Sequence, residues 1–248
     1  MKAACRFLAL CLSFLPLAAA ASPKSDLDAA TRKGKLAFVL ISEPGTAGVD
    51  QAREMIRSAM KQVDGSVLVE WNRADTSDAG LAARFRVAGA PLPLILLIAR
   101  NGATAGGLMA SQASVEKLVK LVPSPKKTEV LAAVQAGKAV FITAARKGMG
   151  AQAEAQKSCA RACGQIGAGS FAILVDIDDP AEAQFLAGLK VSPAAMEPVT
   201  VVLNRQFLAM GTFVGVAAVD DLVQAANKMA PSCCAPGSGK TCGPAGAK

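Results

Sequence analysis

Apolar residues along this chain gather into short unbroken runs, and between the runs lie stretches in which apolar positions recur every three or four residues. Unbroken runs are the pattern of strands buried on both faces; the wider spacing is that of helices with one apolar side. The first run, Gly34-Lys35-Leu36-Ala37-Phe38-Val39-Leu40-Ile41, returns about 103 residues later as Gly137-Lys138-Ala139-Val140-Phe141-Ile142. The segments before them match too. Ser25-Asp26-Leu27-Asp28-Ala29-Ala30 and Thr128-Glu129-Val130-Leu131-Ala132-Ala133 both read as helices opened by a hydroxyl N-cap and an acidic first turn. Beyond each run a glycine-containing loop leads into a helix, 49–63 in one copy and 151–166 in the other, followed by strands over 66–71 and 170–175. A short helix then reaches Arg86-Val87 or Lys190-Val191, and a proline-led strand follows, 93–98 or 198–203. A turn at Asn101-Gly102 or Asn204-Arg205, a last strand and a helix close each copy.

The mature chain therefore reads as an internal repeat with element order α-β-α-β-α-β-β-α. The predicted boundaries are a targeting segment over 1–21, a first domain over 22–122, a linker over 123–127, a second domain over 128–230 and a tail over 231–248. Pro123-Ser124-Pro125-Lys126-Lys127 carries the linker's turn-forming composition.

That element order, a loop from a valine to a proline before the third strand (Val87 to Pro93, Val191 to Pro198) and an Asn-Gly-type hairpin after it resemble the thioredoxin-like fold across nearly all of residues 24 to 229. The resemblance implies two tandem α/β domains, each a central mixed sheet flanked by helices. It also implies a cis proline beside the family's active-site loop, with Pro93 and Pro198 at the matching positions. Pro91 competes in the first copy, because Gly89-Ala90-Pro91 fits as well, and a proline there can also simply open an edge of the sheet. Pro93 with Leu92, and Pro198 with Glu197, become the candidate partner-binding residues.

Active thioredoxins carry Cys-x-x-Cys between the first strand and the next helix, whose N-terminus lowers the thiol pKa. Here those loops read Ser42-Glu43-Pro44-Gly45-Thr46-Ala47-Gly48 and Ala145-Arg146-Lys147-Gly148-Met149-Gly150, without a cysteine. The resemblance then implies the redox-inactive kind of domain, as in the non-catalytic modules of protein disulfide isomerases, which bind polypeptides or partner proteins. Gly148-Met149-Gly150-Ala151-Gln152-Ala153 imitates a dinucleotide fingerprint, but Ala145-Arg146-Lys147 intervene where the motif wants a tight turn.

Composition narrows the chemistry. The 248 residues include no histidine, which excludes Ser-His-Asp and Cys-His hydrolases and any imidazole-held metal. Lys2 and Arg6, an apolar run over 7–17 and the small residues 18–21 describe a secretory signal peptide, cleaved near Ala20/Ala21, so a periplasmic or secreted location is expected. The apolar run is too short to span a membrane. The formal charge of +8 comes from basic residues scattered along the chain, not gathered with aromatics, which argues against nucleic-acid binding.

Of seven cysteines, Cys5 and Cys11 leave with the signal. Cys159 and Cys163 lie four apart on one helix face, either as a thiol pair or as two small core residues. Cys233, Cys234 and Cys242 sit in a tail rich in helix breakers. Such thiols suit a soft ion such as copper or zinc, disulfide exchange, or a covalent tether. No cofactor is assigned with certainty. Two readings stand: an exported, non-catalytic binding or scaffold protein that engages a polypeptide or partner protein, its tail thiols holding a soft metal or a tether; or a thiol-disulfide exchange or metal-transfer protein that uses the tail cysteines. The first is preferred, because no cysteine stands at a helix N-terminus.

Overall fold

A computed structural model describes residues 22–229. The first half runs α1 (Pro23–Arg32), β1 (Leu36–Ser42), α2 (Val49–Met60), β2 (Ser66–Asn72), α3 (Ala79–Phe85), β3 (Leu94–Ile98), β4 (Thr104–Met109) and α4 (Val115–Lys120). The second repeats it as α5 (Pro125–Gln135), β5 (Ala139–Ala145), α6 (Gln152–Ile166), β6 (Ser170–Asp176), α7 (Ala183–Gly188), β7 (Val199–Leu203), β8 (Ala209–Val214) and α8 (Val219–Asn227). The element order read from the sequence is present in both.

Each half is built on a four-stranded mixed sheet, ordered β2-β1-β3-β4 and β6-β5-β7-β8. The first strand of each half runs parallel to the second and antiparallel to the third, with Leu40 opposite Ile95 and Thr143 opposite Thr200. The central strands are buried on both faces because helices cover both sides. Successive side chains on β1 point to opposite faces. Phe38 and Leu40 join Ile56 and Leu118 of α2 and α4, while Val39 and Ile41 join Leu27 and Leu81 of α1 and α3. The second half divides its core the same way, Phe141 toward α6 and α8 and Ile142 toward α5 and α7. No helix among the described residues is long and apolar enough to cross a membrane.

The helix starts differ from the sequence reading. The N-caps are Ser22 and Ser124, whose hydroxyls accept from the amides of Ser25 and Lys127, and a proline follows each at the first helical position. Proline is suited to that position because its missing N–H would find no helical partner anyway. Residues 125–127, expected in the linker, are therefore the first turn of α5. Gly34 and Gly137, read as strand starts, instead terminate α1 and α5 with left-handed φ of 61° and 74°.

The halves are joined by side-chain bonds to backbone. Asn101 Nδ2 donates to the Thr128 carbonyl at 2.8 Å. The Gln135 amide accepts from the Thr104 N–H at 2.9 Å and donates to its carbonyl at 2.8 Å, so it pairs with β4 as a neighbouring strand would.

Candidate functional site

The loops that follow β1 and β5 lie against the segments that lead into β3 and β7. The Leu92–Pro93 peptide is cis, which settles the competition with Pro91; among the described residues the cis bond is confined to that position, so Glu197–Pro198 is trans. The proline carbonyls are held alike, Pro93 by the Ala110 N–H at 2.9 Å and Pro198 by the Gly215 N–H at 2.8 Å.

Where the family keeps its cysteines, each half has an arginine bridge. In the first, Arg73 follows β2; its Nε donates to Glu43 at 2.7 Å, and its Nη1 donates to the Val87 and Ala90 carbonyls, both at 2.8 Å. In the second the signs are exchanged. Arg146 stands at the counterpart of Glu43, directly after the first strand. Its Nε donates to Asp178 at 2.9 Å and its other nitrogens donate to the Ala195 and Pro193 carbonyls. Both bridges tie three segments together: the loop after the first strand, the end of the second, and the approach to the proline. Charge-assisted bonds to a carboxylate and two carbonyls use the planar fork of arginine in a way lysine cannot reproduce. Arg73 is the more enclosed, its side chain 14% exposed, against 30% for Arg146.

Around the prolines the halves differ. Pro198 is itself buried, so a partner on this face meets its neighbours instead. Met196 is 86% exposed and Val214 69%, and with Glu197 and Val199 they border a cleft of ≈ 480 Å³; Val216, nearby in the chain, is also exposed. Large apolar side chains left this open in a cluster mark an interaction surface more often than an accident of folding. The Glu197 carboxylate lies against Gly215. In the first half Leu92 packs against the core and Met109, the counterpart of Val214, is half-buried.

The helix cysteines separate by depth. Cys159 is 2% exposed, in the core position of Ile56, whereas Cys163 is half-buried at the edge of the same cluster. The Cys159 Sγ lies 3.4 Å from Thr143 Oγ1 and 3.9 Å from Thr200 Oγ1. The first half has Leu40, Ile56 and Ile95 at these three positions, so a buried polar trio replaces an apolar one. Burial pushes the Cys159 thiol above its ordinary value of 9.0, outweighing the two threonine hydroxyls, which act the other way. A buried, protonated thiol is a poor nucleophile, and this one does not suit the redox role considered for it from sequence. Because the folded pKa is the higher, its contribution to stability is fully present below the unfolded thiol's value. It is lost as pH rises through the folded one. Denaturant midpoints at about pH 8 and about pH 10 are expected to differ more in the wild type than in Cys159→Ala; equal differences would remove the thiol as the cause.

No group of three or more His, Cys, Asp or Glu side chains among the described residues is placed to hold a metal ion. Cys233, Cys234 and Cys242 lie outside the described residues, as does the signal segment. Sequence reasoning missed Arg73, Asp178 and the threonine pair; aligning the two copies residue by residue, with Glu43 against Arg146, was the available signal.

The element order and the two sheet topologies give two tandem domains of thioredoxin-like fold. No family model and no curated protein matches the sequence. Among solved structures the chain is similar to the first two thioredoxin domains of Saccharomyces cerevisiae Eps1p, at 11% identity and a TM-score of 0.34, over 84% of this chain and 96% of that one. It is similar to human ERp44 in a zinc-bound form at 12% identity and a TM-score of 0.32, over 79% of this chain and 56% of that one. The N-terminal domain of the alkylhydroperoxide reductase AhpF from Enterococcus faecalis matches at 14% identity and a TM-score of 0.29, over 82% and 99%.

Proposed function

We propose that this is an exported, non-catalytic thioredoxin-like binding protein that holds an extended, apolar stretch of polypeptide on the Met196–Val214 face of its second half. The observation that carries the reading is the exchange at the proline loops: an arginine–carboxylate bridge where the family has thiols, and an exposed apolar cleft beside it. Strand β8 is the outer strand of its sheet. Its outer edge, which pairs with no strand among the described residues, offers backbone hydrogen bonds to an added strand, and the cleft offers a seat for alternate side chains. Export rests on the signal segment. The tail thiols add a soft-ion site, for copper or zinc, or a tether to the same partner.

The test is capture of a reduced, carboxymethylated polypeptide, which is unfolded and has no reactive thiol. Met196→Asp combined with Val214→Asp is expected to weaken capture by about tenfold or more while leaving the melting temperature in place. Undiminished capture by that variant would remove the face from the proposal.

A further inference from the structure

We infer that the crevice between the two halves binds a small organic polyanion carrying a planar ring. The crevice, of ≈ 840 Å³, lies between the end of α3 and the β3–β4 turn on one side, and the end of α5 and the β7–β8 turn on the other. Arg84, Arg86 and Arg205 line it, Phe85 and Phe207 stand among them, and no carboxylate lines it. A pocket of this size suits a small molecule, and guanidinium forks beside ring faces suit one that joins anionic oxygens to a flat group.

The arginines are not occupied elsewhere. Arg84 donates to the Gly102 carbonyl at 3.2 Å and lies 5.0 Å above the Phe85 ring, which leaves most of its donors open. Arg86 and Arg205 make no hydrogen bond or ion pair with another described side chain or backbone group. Arg205 is informative by comparison with its counterpart: Arg100, also directly beyond the third strand, donates to the carbonyls of Gly34 and Asp64 at 3.0 and 2.7 Å. In the second half the Arg205 guanidinium lies against Gly169 as that of Arg100 lies against Gly65, but it makes no such hydrogen bond there and borders the crevice.

Phe207 points the same way. It adopts a left-handed φ of 65° at the turn position where the first half has Gly102, with φ of 82°. Glycine meets the needs of that turn, and a bulky residue there is conformationally unfavourable. The aromatic ring is nonetheless present, 44% exposed, on the crevice wall. The Gln135–Thr104 pairing holds the two walls in register. In this arrangement Arg86 and Arg205 receive the anionic oxygens and Phe207 lies against the ring.

The test is calorimetric titration of the mature chain at low salt with benzene-1,3,5-tricarboxylate and with propane-1,2,3-tricarboxylate, which has the same charge and no ring. The aromatic anion is expected to bind at least about tenfold more tightly. Arg205→Gln, and Arg86→Asn, which tolerates the left-handed backbone, are each expected to lower that affinity by about tenfold. Phe207→Gly restores the residue the first half uses, so the fold is retained and the melting temperature is unchanged or higher, while the two anions bind alike. Arg57→Gln, on α2 and outside the crevice, leaves binding unaltered. Absence of saturable binding, or an equal loss in Arg57→Gln, overturns the assignment. Capture of unfolded polypeptide is unaffected by all four substitutions, which separates this site from the Met196–Val214 face.

Discussion

Arg73→Ala is expected to destabilise the first half by about 2–4 kcal/mol, because it leaves the Val87 and Ala90 carbonyls and the Glu43 carboxylate without their donor at once. Val87 is buried, so water does not replace the lost bond there. Arg73→Lys recovers less than half, since one ammonium does not span all three acceptors. Trp71 is the protein's single tryptophan, buried in the first half with its ring 6.5 Å from Phe85, so its fluorescence in denaturant reads this half alone. The second-half equivalent, Arg146→Ala, is expected to cost only about 1 kcal/mol, because its acceptors are more open to solvent. It leaves the Trp71 transition in place. An Arg73→Ala midpoint equal to the wild type's would show that the bridge is incidental to the proline loop.

Glu182→Ala is the second large effect expected, about 2–3 kcal/mol on the second half. Glu182 is 1% exposed, and its two oxygens accept from the Ser124 hydroxyl and, at 2.8 Å, from the Lys126 N–H. The carboxylate therefore sits at the N-terminus of α5, where backbone amides without helical partners and the helix dipole favour negative charge. Alanine removes the acceptor and leaves the half-buried start of the helix without it. Glu182→Gln keeps one accepting oxygen and is expected to lose about half as much. Amide hydrogen exchange at Lys126 is the measurement: faster exchange in Glu182→Ala is the expected result, and unchanged protection would show that the carboxylate does not hold the junction.

Strand and helix order was readable because β1 and β3 carry unbroken apolar runs and β5 and β7 are interrupted only by Thr143 and Thr200, a composition that suits strands covered on both faces. Helix starts were not read correctly. The polar clusters at Ser25-Asp26 and Thr128-Glu129 look like caps, whereas the capping serines lie three or four residues earlier, each ahead of a proline, of which Pro23 reads as the sequence after the cleavage site and Pro125 as linker. The bridges were hidden for another reason. Glu43 and Arg73 are 30 residues apart and Arg146 and Asp178 are 32 apart, and the exchange of sign between halves disguises them as unrelated charges. The cleft was hidden as well, because Met196 and Val214 look like core residues until the sheet order shows that β8 has no neighbouring strand on its outer side among the described residues. What the repeat did reveal, the absence of thiols from both family loops, is the observation on which the functional reading turns.

The most direct measurement of that reading places polypeptide capture and disulfide reduction side by side, using the mature chain and the same chain cut after Ala230. A binding protein captures the carboxymethylated polypeptide in both forms and reduces a protein disulfide no faster than a free thiol does. Catalytic reduction by the intact chain that disappears on cutting, without capture by either form, would contradict the account and transfer the function to Cys233, Cys234 and Cys242.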